Sequence, residues 1–292
     1  LTVSGKHAFL RILSPEYRAI NSAPLPDKPM ELFKDCFGNT HIIFTDSVVQ
    51  ILIKGDTLVL YRGVTRKRFK LLLENCEAQS GSHLFFSEYK NFNQTVAYFK
   101  SDKKSGNKEL MREISDPYFY SQARSLQWEI KRLTTGGYNE VSYPAEDVDR
   151  FEKKSRRRAN LDLIAKNPVY APLFRVEDEI YIFDHYKDSS YVYNGDGLLK
   201  RVFPISYQHE KGWNKELITD ESNKRVYVVL LRSGVATLCL INNTTGEVTH
   251  RIPVLGVTYP EKIKVKNNSI YYLASVGVAH ANKKQLYKYY QK

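Results

Sequence analysis

Five short apolar runs punctuate the chain: Ile42-Ile43-Phe44, Leu84-Phe85-Phe86, Ile180-Tyr181-Ile182-Phe183, Val226-Tyr227-Val228-Val229 and Ile270-Tyr271-Tyr272-Leu273. Each is strand-sized and bounded by polar turn residues, which predicts a buried β-strand. The runs start at positions 42, 84, 180, 226 and 270, so the intervals are 42, 96, 46 and 44 residues, and 96 is close to twice the others. A period of roughly 40 to 50 residues is the spacing of β-propeller blades.

The sequence around each run predicts the same unit. A strand at Glu179–Asp184 is followed by a turn, a second strand over residues 190–194, the turn Gly195-Asp196-Gly197 and a third strand over residues 198–205. In the next copy residues 225–231 turn through Arg232-Ser233-Gly234 into residues 235–242, and then through residues 243–247 into residues 248–254. Gly, Asn and Asp at these turns tolerate positive φ, as tight antiparallel hairpins require. The expected unit is an antiparallel meander of three or four strands. Because unpaired sheet edges are a liability, His7–Leu13 is expected to close the last blade beside a final strand near residues 285–290.

Residues 116–167 break the pattern. Asp116-Pro117 has the form of an N-cap followed by proline at the first helical position, and Phe119, Ala123, Leu126 and Ile130 then recur at helical spacing. Pro144 opens a second helix, with Val148, Phe151, Leu161 and Ile164 as its buried positions and Asn167-Pro168 as its end. Thr134-Thr135-Gly136-Gly137 is the expected joint. The expected organisation is thus all-β over residues 1–292, one propeller domain with a helical insertion at 116–167. Five blades follow directly from the strand count.

Composition sharpens this picture in two ways. The 21 Tyr and 14 Phe against 2 Met suit half-buried strands, and the 44 Lys plus Arg against 32 Asp plus Glu give a net charge of +12, favouring acidic partners without naming one. No apolar run reaches the roughly 20 residues of a membrane-spanning helix. The chain begins at Leu1, and a leader or lipid anchor is expected to have been removed ahead of it.

Catalytic signatures are sparse. Cys36, Cys76 and Cys239 are odd in number and widely spaced, and the expectation is buried or half-buried free thiols, with a single disulfide as the alternative. The seven His show no metal-ligand spacing, so neither a metal nor a cofactor is expected; His41, His83 and His185, each beside an apolar run, could converge only across blades. Asp46, Glu88 and Asp184 follow corresponding strands and are expected to stabilise blade turns rather than hold a cation. No nucleophile elbow, P-loop or dinucleotide fingerprint is present.

Two features suit binding. Lys153, Lys154, Arg156, Arg157 and Arg158 place five cations within six residues of the second helix; an acidic partner could dock there, nucleic acid being the less expected one. Tyr186, Tyr191, Tyr207 and Trp213 lie in or near one repeat, and aromatic faces stack on sugars and anchor protein interfaces.

Finally, Phe33-Lys34-Asp35-Cys36-Phe37-Gly38-Asn39, Tyr170-Ala171-Pro172-Leu173-Phe174 and Glu210-Lys211-Gly212-Trp213 resemble motifs of six-bladed β-propellers from exported Bacteroidetes-type bacterial proteins, commonly lipoproteins, with NHL-like blades. The resemblance covers most of residues 30–114 and 168–292. It implies six blades, one of them hidden in the N-terminal third or the insertion, and an exported, periplasmic or cell-surface location; it carries no catalytic residues. The function expected is non-enzymatic binding of a protein or glycan at the cell envelope, using a funnel face with the basic insertion as rim or lid. The alternative is a hydrolase or lyase acting on an anionic sugar through cross-blade His and carboxylate residues.

Overall fold

The computed structural model describes residues 2–4, 7–14, 18–135, 144–220, 222–275 and 284–290. Among the described residues twenty-two strands form six antiparallel sheets, each made of strands consecutive in sequence. The first holds β1 (Thr2–Ser4), β2 (His7–Leu13) and β3 (Ala19–Pro24); the second β4 (Glu31–Lys34), β5 (Thr40–Ile43), β6 (Ser47–Lys54) and β7 (Thr57–Thr65). The third holds β8 (Cys76–Ser80), β9 (His83–Lys90), β10 (Thr95–Asp102) and β11 (Lys108–Ser115). The fourth holds β12 (Leu173–Val176), β13 (Glu179–Asp184), β14 (Ser189–Tyr193) and β15 (Leu199–Pro204). The fifth holds β16 (Trp213–Asp220), β17 (Arg225–Arg232), β18 (Val235–Ile241) and β19 (Val248–Pro253), and the sixth β20 (Glu261–Lys266), β21 (Ser269–Ser275) and β22 (Lys284–Tyr290). The fold class is the expected all-β propeller, and its six sheets are consistent with six blades.

All five apolar runs occupy the second strand of a sheet: β5, β9, β13, β17 and β21. An inner strand of a sheet packed on both faces is apolar at successive positions, not alternate ones, because both sets of side chains meet core. Ile180 through Phe183 and Val226 through Val229 are accordingly all buried. The blade that the strand list lacked is the N-terminal one. His7–Leu13 was expected to close the last sheet, but it pairs instead with β1 on one edge and β3 on the other, while β22 pairs with β21.

Among its described residues the 96-residue interval contains no further sheet. It holds two helices, α2 (Pro117–Thr135) and α3 (Pro144–Ala165), preceded in chain order by a short α1 (Arg66–Phe69) that runs on as a π-turn over Lys70–Glu74. Asp116 caps α2 as expected, its Oδ1 accepting the amides of Tyr118 and Phe119 at 3.0 Å. Ala123, Leu161 and Ile164 form the buried seam between α2 and α3, with Phe119, Leu126 and Ile130 against it. Phe151, expected inside, is exposed. It stands about a third of a helical turn away from the Leu161 and Ile164 stripe. Gly136 and Gly137 of the expected joint, and the side chain of Val148, lie outside the described residues.

The end of α3 is held by the β9–β10 turn. Asn91, Phe92 and Asn93 are three successive residues at positive φ. Their geometry aims the Gln94 amide to donate to the carbonyls of Ile164 (2.8 Å) and Asn167 (3.0 Å), while Asn93 Nδ2 donates to Ala165 O (2.9 Å). These bonds satisfy carbonyls that a helix C-terminus leaves without partners.

The chain divides into two compact units, residues 1–88 with 99–109 and residues 89–98 with 110–292. In the first, Leu10, Ile42, Phe44 and Ile51 form one core cluster and Ile43, Val48 and Phe69 another. Cys36 and Cys76 also lie here and form a disulfide, Cα to Cα 5.5 Å across 40 residues of sequence. Two of the three expected free thiols are therefore paired, because the turn after β4 and the start of β8 meet in space; only Cys239 is a free, buried thiol.

Candidate functional site

The second unit carries a small aromatic pocket whose walls come from three connections. β13 ends at Asp184, a buried carboxylate whose Oδ1 accepts the amides of Tyr186 and Lys187, both at 3.1 Å. That turn throws His185 and Tyr186 out of the strand direction. The same arrangement recurs at Asp220, which accepts from Ser222 and Asn223, and at Asp35, which accepts from Phe37 and Asn39. The expectation that strand-end aspartates build blade turns holds at Asp184; burial raises its pKa despite the two amides. Glu88 instead pairs with Lys108, and Asp46 offers its backbone carbonyl to the Arg66 amide (2.9 Å).

The second wall comes from the connection between the fourth and fifth sheets. Tyr207 begins a single 3-10 turn ending at His209. Gly212 follows at φ +93°, where a Cβ would stand 2.7 Å from the Leu231 carbonyl oxygen, so only glycine lets this segment lie against β17. Trp213 opens β16, whose register shifts before Leu217; within that irregularity Lys215 takes φ +58°. The third wall is Tyr170, on the segment between α3 and β12. Its amide donates to the Tyr186 hydroxyl (3.1 Å), and its own hydroxyl accepts the Leu217 amide (2.8 Å).

His185 sits at the centre of these rings. It stacks on Tyr170 with centroids 5.3 Å apart and planes at 21°, and lies 5.2 Å from the Trp213 ring and 5.7 Å from that of Tyr207. Nδ1 faces the Tyr170 carbonyl at 3.0 Å, which cannot donate, so Nδ1 carries the proton; Nε2, 3.1 Å from the Tyr207 hydroxyl, accepts from it. Burial pulls the His185 pKa down to about 4, against the smaller upward pull of the Tyr170 carbonyl. The ring is thus a neutral wall at neutral pH, with both nitrogens occupied. Burial also raises the pKa of both Tyr170 and Tyr207, so neither phenol ionises near neutrality.

Polar groups rim the opening. The pocket holds about 210 Å³ and is lined by Tyr170, His185, Tyr186, Gln208, His209, Trp213 and Lys215. Gln208 Nε2 donates to Asp188 Oδ1 (2.5 Å) and Ile205 O (3.2 Å), and His209 Nε2 also meets Asp188 Oδ1 (2.9 Å). Gln208 Oε1 is buried and has no hydrogen-bond partner among the described residues. An unmet buried acceptor costs roughly 1 to 3 kcal/mol.

Of the residues singled out from sequence, Tyr186 and Trp213 line this pocket and the buried Tyr207 backs it. Tyr191 does not join them. It lies under the Arg112 guanidinium, 3.5 Å from the ring centre, and Arg112 Nε donates to the Tyr193 hydroxyl (2.9 Å). The basic run forms no part of the pocket: Lys153, Arg156 and Arg158 are exposed on α3, Lys154 and Arg157 half-buried. Arg156 pairs with Glu152 at 3.5 Å and Arg157 with Glu129. His41 bonds to the Asp35 turn carboxylate (2.8 Å) and His83 to Ser82 (3.3 Å), so each histidine considered for convergence has its own local partner. Among the described residues no cluster of His, Cys, Asp and Glu could hold a metal ion. Sequence reasoning missed Tyr170, Gln208, His209 and Lys215; only Tyr170 carried a signal, as the first residue of a motif before an apolar strand.

No protein-family model matches the chain, and neither does any curated protein. Solved structures do. The propeller domain of the Trilobed protease from Pyrococcus furiosus is 8% identical over 87% of this chain, with a TM-score of 0.37; this chain spans 61% of its length. TolB from Acinetobacter baumannii is 10% identical over 96% of this chain (TM-score 0.46), which spans 56% of that protein. A luciferin-regenerating enzyme is 9% identical over 86% of this chain (TM-score 0.39), which spans 73% of it. Of the expected kinship, the β-propeller architecture stands on the six sheets themselves.

Proposed function

We propose that this chain is an exported, non-enzymatic binding propeller of the bacterial cell envelope, and that its aromatic pocket takes one ring of a glycan. The exported Bacteroidetes-type lipoprotein kinship suggested by the sequence motifs belongs to this proposal. What carries the reading is the cluster of Tyr170, His185 and Trp213 rings around a pocket that the Gln208 side chain also lines. Flat faces suit the C–H face of a pyranose, and the amide side chain of Gln208 on the rim suits its hydroxyls. At about 210 Å³ the space is below the roughly 300 to 1,000 Å³ of drug-sized ligand sites, hence one ring and not a long chain. The disulfide supports export, since such bonds persist in oxidising compartments. Among the described residues no helix is long and apolar enough to cross a membrane.

A glycan array followed by calorimetry tests the proposal. Trp213→Ala is expected to weaken a captured glycan by about 30-fold, the effect of losing a contact worth about 2 kcal/mol. Unchanged binding by that variant, or no glycan retained at all, would overturn it.

The hydrolase or lyase reading is favoured by one observation: His209 and Asp188 pair at 2.9 Å beside Lys215 on the pocket rim. Both side chains are more than half exposed, and catalytic pairs draw their strength from desolvation, so this reading ranks second. Turnover of an anionic glycan by the native chain, abolished in His209→Ala, would promote it.

A further inference from the structure

The second sheet ends in a segment that the pocket does not use. From Thr57 to Leu73 the sequence holds no Asp or Glu, yet Arg62, Arg66, Lys67, Arg68 and Lys70 place five cations within nine residues, followed directly by Leu71, Leu72 and Leu73. The structure shows how the helical turn sorts them. Phe69 is 2% exposed, packed edge-on against Phe33 at 5.4 Å and beside the His41 ring at 5.0 Å, and Leu73, four residues on, joins the same cluster. Positions i and i+4 share a helix face, so Leu71 and Leu72 face away from the core, 77% and 58% exposed.

The exposure is built in. Thr65 caps the first turn, accepting the Arg68 amide. Phe69 and Leu73 pin the segment from beneath, and Cys76, bonded to Cys36, fixes the chain two residues after Glu74. Two leucines are therefore held out to solvent beside Lys67, Arg68 and Lys70, all exposed. Lys70 has only a 4.0 Å approach to Glu74, and Arg66 turns back to the Met30 sulfur. The other basic run, on α3, is partly neutralised by Glu129 and Glu152; on this one the Lys70 approach to Glu74 is at the 4.0 Å limit of an ion pair.

We propose that residues 66–72 dock this protein on an anionic lipid surface, the cations meeting headgroups and Leu71 and Leu72 entering the boundary with the acyl chains. Cations flanking exposed aliphatic side chains are the composition of interfacial segments, which draw on both charge attraction and apolar burial. The site is independent of the glycan pocket, so either proposal can fail without the other.

The test is co-sedimentation of the purified full-length chain with vesicles of phosphatidylcholine alone or with one-third phosphatidylglycerol. Expected is binding to the anionic vesicles only, weakening with added salt. Replacing Lys67, Arg68 and Lys70 together by Gln lowers partitioning by about fivefold per cation, roughly 100-fold in all. Leu71→Ser with Leu72→Ser lowers it at least tenfold while leaving the melting temperature unchanged, because both side chains are already in solvent. A Leu72→Trp variant, should the serine pair alter folding, is expected to show a blue-shifted emission on anionic vesicles. Equal binding to neutral vesicles, no binding to either, or loss on charge removal without loss on leucine removal would each overturn the proposal; the last result would mark a purely electrostatic surface for an acidic protein.

Discussion

Breaking the Cys36–Cys76 bond is expected to destabilise the first unit by about 4 kcal/mol. The magnitude follows from the 40-residue separation: in the chain-entropy account a cross-link removes about 2.1 + 1.5R ln n cal/mol/K from the unfolded ensemble, which for a loop of about 40 residues is close to 13 cal/mol/K, or roughly 4 kcal/mol at 298 K. The perturbation is the Cys36→Ser, Cys76→Ser double variant, with Cys239→Ser as control. Cys36 and Cys76 stand between β4 and β5 and at the start of β8, so the closed loop encloses β5, β6 and β7 of the second sheet. Differential scanning calorimetry under non-reducing conditions reads the result. For a unit of about 100 residues each kcal/mol is worth roughly 4 to 8 °C, so a downward shift of at least about 16 °C is expected in the transition of this unit. Adding reductant to the native chain should reproduce it and leave the double variant unmoved. A double variant melting with the native protein, or native protein indifferent to reductant, would refute both the bond and the oxidising-compartment argument.

Three further outcomes are expected. Because His185 titrates near 4 when folded and near 6.5 when unfolded, its folded pKa is depressed: the unfolded chain takes up a proton first, and stability is lost as pH falls from about 6.5 toward 4, by up to about 3 kcal/mol. Denaturant midpoints across that window should flatten in His185→Gln; an equally steep profile in the variant would assign the dependence elsewhere. Gly246→Ala puts a Cβ 1.8 Å from the Pro204 carbonyl oxygen and should cost well over 2 kcal/mol, whereas Gly256→Ala, also at positive φ but with nothing within 4 Å, should cost only about 1 kcal/mol; similar urea midpoints for the two would contradict this packing. Asp184→Ala removes an acceptor of two amides and should cost about 2 kcal/mol, with Asp184→Asn retaining part of the loss; an Asn variant no better than Ala in chemical denaturation would reject the turn role.

How far the sequence disclosed this architecture depends on burial. Strands packed on both faces advertise themselves as apolar runs, which is why β5, β9, β13, β17 and β21 were legible and their period measurable. The first sheet was not, because Ala19–Pro24 is mostly exposed or half-exposed and shows no run at all. The π-turn at Lys70–Glu74 escaped because Leu71-Leu72-Leu73 is equally compatible with a strand; only the packing of Phe69 and Leu73 makes it a turn of helix. The disulfide depended on which turns meet in space, which spacing along the chain does not encode. The pocket was half-legible for the same reason. Tyr186, Tyr207 and Trp213 stood out as aromatics in one repeat, but Tyr191, five residues from Tyr186 and on the strand beyond the Asp184 turn, belongs to the Arg112 contact. Gln208 and His209 acquire their meaning only from Asp188.

The latch between the β9–β10 turn and the end of α3 sets a limit on how the helical pair could have entered this chain, and on whether it can be taken out. A module spliced into a loop can usually be trimmed back to a short linker, since its neighbours never depended on it. Here Gln94 is fully buried and its amide is spent on the carbonyls of residues 92, 164 and 167. Excising α2 and α3 would strand that amide in a site shaped for a helix end, beside three residues held at positive φ around it. Turn and helix pair therefore behave as a single heritable part: a shortened relative without the helices should also lack glutamine at the position equivalent to 94.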